Sequence, residues 1–483
     1  MPAPAANSQP VPSELRSEVS PHWISPFTGK AIHLIGIGGC GMCGLAAVLK
    51  RCGARLGGSD RQMSASIQRL LKSGVPVAIG QAADNLPACC DLVVCSAAIG
   101  EENPELRAAR HRGIPVMKYA AMLGELMRLR SGIAIAGTHG KSTTTALLAY
   151  TLKQAGRDPT FVVGASVDQL DGSSGVGDGR HFVAEACEFD RSFLHLTPER
   201  AAILNIEEDH LDCYSGLDGI EGAFREFAAR VPDDGLIVAN GEDRVVARSL
   251  DSATASIETF GFEEHCTWQA RDVHAELGRY RFKVVYDGQP MLDAALGHLT
   301  GRHHVMNALS AVALAYSTGV HPDAIALGLA TFRGAQRRLT VRGEGRGITV
   351  LDDYGHHPTE IQVTLRAIRE RYPGRRIWLI FQPHQHSRTR FFLNDFARCF
   401  GSADHVIVPD IYFVRDSEAE REAVCSGDLV DRIRANGGDA LYLPSFEAIF
   451  GYVMSESREG DVVVTMGAGD VWKISDELAR WLQ

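Results

Sequence analysis

Apolar positions along the chain follow two rhythms. Short, mostly apolar runs lie at 32–37, 92–95, 133–136, 182–184, 377–381 and 405–408, most of them bounded by glycine or polar residues. Such runs predict strands buried on both faces. Between them, apolar residues recur at three- and four-residue spacing over 42–51, 64–71, 120–128, 144–155, 304–317, 358–371 and 388–400. That spacing predicts amphipathic helices. Residues 280–286 read as a further strand in the middle of the chain. Alternation is most regular at the end, where 348–351, 377–381, 405–408, 440–443 and 462–465 are strand candidates with helical stretches between them. This is the pattern of a parallel sheet wrapped by helices.

The alternation divides into blocks. Residues 1–30 carry six of the twenty prolines and have no periodicity, so they are expected to form a disordered arm. Three blocks follow, 31–130, 131–335 and 336–483. A chain of 483 residues suggests about three domains, which agrees with this division. The expected fold is α/β with three domains: a Rossmann-like first domain, a P-loop ATPase core with a mostly parallel sheet, and a Rossmann-like last domain.

Composition narrows the function classes. A net charge of −10 argues against nucleic-acid and anionic-membrane binding. No apolar run reaches the length of a membrane span, and no signal peptide is visible, so a cytoplasmic location is expected. The eleven cysteines are scattered. Cys40 and Cys43 form a C-x-x-C without a second pair at zinc spacing, and reduced thiols are the expected state.

The strongest chemical signal is Gly137-Thr138-His139-Gly140-Lys141-Ser142-Thr143, between a strand and a helix. Backbone N–H groups of such a turn point at an anion, and the helix dipole adds to the attraction. Lys141 is then expected on the terminal phosphates and the Ser142 hydroxyl on Mg²⁺. Ile135 stands where a strict P-loop has its first glycine.

Three further clusters carry chemistry. Gly36, Gly38, Gly39 and Gly41 form a turn between a strand and a helix, with Asp60 about twenty residues on. The glycines suit a diphosphate, and the aspartate suits a ribose. A dinucleotide, a UDP-sugar or a ligand-free packing turn all fit this motif. Glu185-Ala186-Cys187-Glu188-Phe189-Asp190 follows a strand, and His210 ends Asn205-Ile206-Glu207-Glu208-Asp209-His210. A carboxylate at a strand end beside a phosphate loop can hold Mg²⁺, and His210 can bind a second ion or meet a transferred phosphoryl group. Finally, Asp352-Asp353-Tyr354-Gly355-His356-His357-Pro358 and Gln382-Pro383-His384-Gln385-His386-Ser387-Arg388-Thr389-Arg390 fall at neighbouring strand ends. Ligands of open parallel sheets bind there. Histidines at that edge can steer protons, and Arg388 or Arg390 can clamp a carboxylate.

Together with Asn307, Arg337-Arg338 and Gly467-Ala468-Gly469-Asp470, these motifs resemble the Mur ligase family from about residue 31 to the C-terminus. Within that family the likeness is to the branch that uses L-alanine. The resemblance implies a UDP-sugar domain over 31–130, an ATP-binding domain over 131–335 and an amino-acid-binding domain over 336–483. It turns the first glycine motif toward UDP. The implied reaction joins L-alanine to the lactyl carboxylate of UDP-N-acetylmuramate through an acyl phosphate made with ATP and Mg²⁺. The implied roles are Lys141 on the phosphates, Ser142 and Glu185 on the first Mg²⁺ and His210 on the second. Asn307 faces adenine, Arg338 reaches the γ-phosphate and Asp353 binds ribose. Tyr354, His356, His384 and Arg388 serve the amino acid, with His356 also counted among the catalytic groups. A monomer or weak dimer is expected. The alternative within the family is a recycling ligase that adds a tripeptide. Outside it are a nicotinamide oxidoreductase and a nucleotide-binding switch.

Four residues depart from the family's usual pattern: Cys187 for aspartate, Phe189 for serine, His304 for asparagine and Gln385 for arginine. No lysine lies between Lys153 and Lys283, so the carbamylated lysine of several relatives has no counterpart.

Overall fold

The computed structural model describes residues 25–210 and 212–483. Most of the arm expected over 1–30 lies outside the described residues. Its last residues form a turn in which Phe27 is buried in the first core, so ordered structure begins before Ala31.

The first lobe is a five-stranded parallel sheet of β1 (Ala31–Ile35), β2 (Arg55–Asp60), β3 (Val77–Ile79), β4 (Leu92–Cys95) and β5 (Val116–Lys118), in the order 3-2-1-4-5. This is the Rossmann-like order around a central β1. Helices Cys40–Arg51 and Tyr119–Met127 pack one against the other.

The middle lobe holds ten strands: β6 (Ser131–Ala136), β7 (Thr160–Val167), β8 (Gly172–Gly175), β9 (His181–Glu185), β10 (Arg200–Ile203), β11 (Leu236–Asn240), β12 (Ser256–Gly261), β13 (Trp268–Glu276), β14 (Arg279–Tyr286) and β15 (Gln289–Thr300). Their order is 15-14-13-12-11-10-6-9-7-8. The centre is parallel, while β8 and the β13–β15 meander run antiparallel at the margins. Its central strands β6 and β9 carry the sequence's apolar runs and end at Ala136 and Glu185, beside the phosphate loop.

The last lobe contains β16 (Thr340–Gly345), β17 (Ile348–Asp353), β18 (Ile377–Phe381), β19 (His405–Val408), β20 (Ala440–Tyr442) and β21 (Val462–Met466), in the order 16-17-21-18-19-20. Only the β16–β17 pair is antiparallel. Every residue of β18 is buried, as an apolar strand between two helical layers requires. Helix Pro358–Arg371 starts at a capping box: the His357 ring accepts from the Thr359 N–H, Glu360 closes the box, and Pro358 occupies the first turn.

The lobes are joined in two ways. One apolar core runs from Leu45, Leu49 and Met122 of the first lobe to Phe182, Phe193 and Phe224 of the middle lobe. The last lobe keeps its own cores on the two faces of its sheet. Hydrogen bonds and ion pairs tie it to the middle lobe, among them Tyr280 Oη to Glu370 Oε2 at 2.6 Å.

Candidate functional site

The phosphate loop is built by glycine geometry. Gly137 has φ +143° and Gly140 has φ +83°, both in the left-handed range. A Cβ on Gly140 would lie 2.6 Å from Asn307 Oδ1, so the missing side chain lets Asn307 approach. Asn205 staples the loop from β10. Its Oδ1 accepts from His139 N at 2.7 Å, its Nδ2 donates to His139 O at 3.1 Å, and its carbonyl accepts from Thr138 N at 3.0 Å. Helix Lys141–Gln154 begins directly after Gly140, which puts Lys141, Ser142 and Thr143 in its first turn.

Lys141 Nζ donates to the Gly137 and Thr138 carbonyls at 2.6 and 2.9 Å and pairs with Glu188 at 2.8 Å. Burial opposes its charge, but Glu188, Cys187 and Glu185 together outweigh burial and hold the amine protonated, well above its ordinary value. The Ser142 hydroxyl donates to Glu185 Oε1 at 3.1 Å, and Gly164 N donates to Oε2 at 2.7 Å. Arg338 reaches within 3.5 Å of the Ser142 hydroxyl, its guanidinium 5.0 Å from the centre of the Tyr354 ring. His210 sits at φ +51°, a strained conformation for its type, with Nε2 3.6 Å from Glu188 Oε1. Burial lowers its pKa, against the pull of Asp209 and Glu188.

Two cavities flank this centre. One of about 240 Å³ lies between the loop and the last lobe, lined by Asn307, His304, Phe260, Leu339 and Asp353 among others. The Asp353 carboxylate accepts from Leu339 N and Gly355 N, each at 2.7 Å. Burial raises its pKa to about 6. The other cavity, about 410 Å³, brings Lys141, Glu185, His210, Arg338, His356 and Arg388 to one wall system, with Tyr354 and His384 beside them. Of the two arginines weighed for a carboxylate clamp, Arg388 is buried and lines this cavity, whereas Arg390 is exposed. His384 stacks on Tyr412, with ring centres 5.5 Å apart. Burial, with Arg388 nearby, depresses His356 to about 3 and His384 to about 4, so both rings are neutral near pH 7.

His139 links the lobes. Its Nδ1 lies 3.2 Å from Glu360 Oε1 and its Nε2 3.6 Å from Glu207 Oε2. Burial works against protonation, but these carboxylates prevail and raise its pKa to about 9. His139, Glu207 and His357 bring ligand-type atoms within 4.8 Å of one another. Both nitrogens of His357 are nevertheless engaged, Nδ1 with Thr359 N at 3.3 Å and Nε2 with Glu208 O at 3.1 Å. These contacts tie the phosphate loop and Glu207 to His357, Thr359 and Glu360 of the last lobe.

The first glycine motif folds as its spacing implies. Gly36 has φ +78°, and Gly39 caps helix Cys40–Arg51. Gly38 N donates to Asp60 Oδ2 at 2.8 Å. A Cβ on Gly41 would lie 2.8 Å from the Tyr119 ring. Asp60 thus serves the loop backbone.

The sequence places Glu188, Glu207 and Asp209 within motifs but marks no role for them, and it does not mark Glu360. The only signal for Glu360 was its capping-box spacing from His357. Nothing in an acidic string tells which carboxylate turns inward. The departures find local partners. Phe189 packs edge-on to His210 at 5.2 Å with the Arg415 guanidinium 4.7 Å from its ring centre. His304 Nδ1 lies 3.4 Å from Asn307 Nδ2. Gln385, at φ +69°, starts helix His386–Phe391. Cys187 is exposed on the larger cavity.

Comparison with known proteins matches residues 31–131 to "Mur ligase family, catalytic domain", 135–315 to "Mur ligase middle domain" and 337–469 to "Mur ligase, glutamate ligase domain". The UDP-N-acetylmuramate–L-alanine ligase of Caldanaerobacter subterraneus is 41% identical over 454 residues, 93% of this chain and 97% of its own length. Among solved structures, the UDP-N-acetylmuramate–alanine ligase MurC of Thermotoga maritima superposes with TM-score 0.78 at 28% identity, covering 93% of this chain and 99% of that one. The murein peptide ligase of Psychrobacter arcticus gives 0.69 at 27% identity, over 94% and 99%.

Proposed function

The chain belongs to the Mur ligase family, and we infer that it is an ATP-dependent ligase of peptidoglycan precursor synthesis that joins L-alanine to the lactyl carboxylate of UDP-N-acetylmuramate. One observation carries the residue assignment: Lys141, Glu185 and His210 of the middle lobe share a cavity with Arg338 and Arg388 of the last lobe. Phosphate-binding cations and a carboxylate-binding arginine thus meet where a phosphoryl group and an amino acid must meet.

A carboxylate is a poor acyl donor because oxide is a bad leaving group. The lactyl carboxylate attacks the γ-phosphorus of ATP, and ADP departs with the broken bond's electrons. The amine of L-alanine then attacks the acyl carbon, phosphate leaves, and the nitrogen gives up a proton. Lys141 and Arg338 neutralise the charge spread over the moving phosphoryl oxygens. Asn307 takes the adenine side of the smaller cavity and Asp353 the ribose. Arg388 holds the alanine carboxylate, with Tyr354, His356 and His384 closing around it. The turn Gly36–Gly41 takes the UDP diphosphate, and Asp60 stands on the side of its ribose. Ser142, Glu185 and His210 offer donors that fit Mg²⁺, which would screen the phosphate charges when bound. The enzyme works in the cytoplasm as a monomer or weak dimer.

Phosphate release tests the reading. It is expected only with ATP, UDP-N-acetylmuramate and L-alanine together. Equal or faster release when a tripeptide replaces alanine would favour the recycling reaction instead, which the likeness to the Psychrobacter ligase keeps in view.

A further inference from the structure

Four consecutive residues leave β10 toward the last lobe, and three of them grip it. Glu207 Oε2 accepts from Thr359 Oγ1 at 2.6 Å, and the Glu208 carbonyl meets His357 Nε2 at 3.1 Å. The Asp209 carboxylate pairs with Arg388, and both side chains are only 6% exposed. The fourth residue, His210, turns back toward Glu188 and Lys141.

Asp209 does two things with one oxygen. Oδ1 accepts from Arg388 Nη2 and also from the backbone N–H of His210 at 2.7 Å. The same carboxylate therefore ties the guanidinium of the last lobe to the strained backbone of the middle lobe. Arg388 engages Asp209 through Nη2, and a guanidinium has five donors in a planar fork. Arg388 also lines the cavity that holds His356 and His384, whose rings are neutral. A buried carboxylate that fixes an arginine's plane leaves the other edge set for a second, planar carboxylate.

We propose that Asp209 is a positioning residue: it orients Arg388 to receive the amino-acid carboxylate. The proposal rests on the ligase reading above. It makes amino-acid affinity depend on a middle-lobe residue that touches neither alanine nor ATP.

The test is steady-state kinetics of Asp209→Asn, Arg388→Ala and the double variant, with KM measured separately for alanine, ATP and UDP-N-acetylmuramate. Asp209→Asn is expected to raise the KM for alanine at least about tenfold while the KM for ATP stays within about twofold. The double variant is expected to match Arg388→Ala, because Asp209 acts through Arg388. An unchanged KM for alanine, a parallel rise in all three constants, or multiplying effects in the double variant would each overturn the proposal. Should Asp209→Asn fail to fold, Asp209→Glu gives the same reading: the carboxylate is kept but displaced, and the alanine KM must still move while that for ATP does not. Wild-type enzyme is the control. If its phosphate release does not depend on alanine, the substrate reading itself falls, and this proposal with it. If wild type depends on alanine and the variants do not shift its KM, only the role of Asp209 falls.

Discussion

At the scale of single residues, the site is defined by charges held in unusual states. His139 is the clearest. Its pKa rises from an ordinary 6.5 to about 9 because Glu207 and Glu360 favour the protonated ring. The folded value lies above the unfolded one, so this stabilisation is complete below about pH 6.5 and is lost as pH climbs through about 9. The thermal midpoint of the wild type is expected to fall across that window. His139→Gln should flatten the slope there, and an unchanged slope would place the stabilisation elsewhere. Lys141→Ala is expected to abolish ligation while calorimetric binding of the UDP-sugar survives, since its contacts lie on the phosphate loop and Glu188. Loss of sugar binding would mean that the two functions are not divided between lobes. The residues that sequence alone could name were those with a backbone or chain-order signature: Lys141 after Gly140, Ser142 beside it, Glu185 at a strand end. Glu188 acts through buried pairing with Lys141, distant in sequence, and Asp209 and Glu360 through pairing across lobes, which no local pattern encodes.

At the scale of elements, the glycine turns shape the two proposed ligand loops. Gly140→Ala would force a side chain into φ +83° and against Asn307 Oδ1. A loss of about 1–2 kcal/mol in denaturant unfolding is expected from the left-handed backbone alone. Nucleotide affinity should fall further than UDP-sugar affinity, and titration calorimetry compares the two. The strands and helices of the last lobe were largely legible, because fully buried parallel strands read as apolar runs: β18 and β19 occupy the expected 377–381 and 405–408. The expected helix 388–400 instead breaks into His386–Phe391 and Leu393–Cys399. Phe392 turns between them, buried with its ring 4.8 Å from His357. Packing there overrides helical spacing. Strand β2 escaped sequence reading because its Gly57-Gly58 breaks the apolar run; Gly58 is needed where the strand passes the Leu34 carbonyl.

At the scale of the whole molecule, the two junctions differ in kind. The first and middle lobes share an apolar core, whereas charged and hydrogen-bonded contacts through His139, Thr359 and Arg388 hold the last lobe. Apolar burial couples unfolding, while a polar junction gives way separately. Calorimetry is therefore expected to resolve two transitions, one for the joined pair and one for the last lobe. Three transitions would contradict the shared core. Such a polar junction also suits the proposed task of the last lobe, to bring an amino acid to an activated carboxylate and then let the product go.

The claim beneath all of this is that the sugar's carboxylate itself takes the phosphoryl group. UDP-N-acetylmuramate labelled with ¹⁸O in its lactyl carboxylate tests it most directly, with ATP and L-alanine present and the released phosphate read by mass spectrometry. The account predicts one ¹⁸O atom in the phosphate for each amide bond formed. Phosphate free of label, released at the rate of ligation, would contradict it.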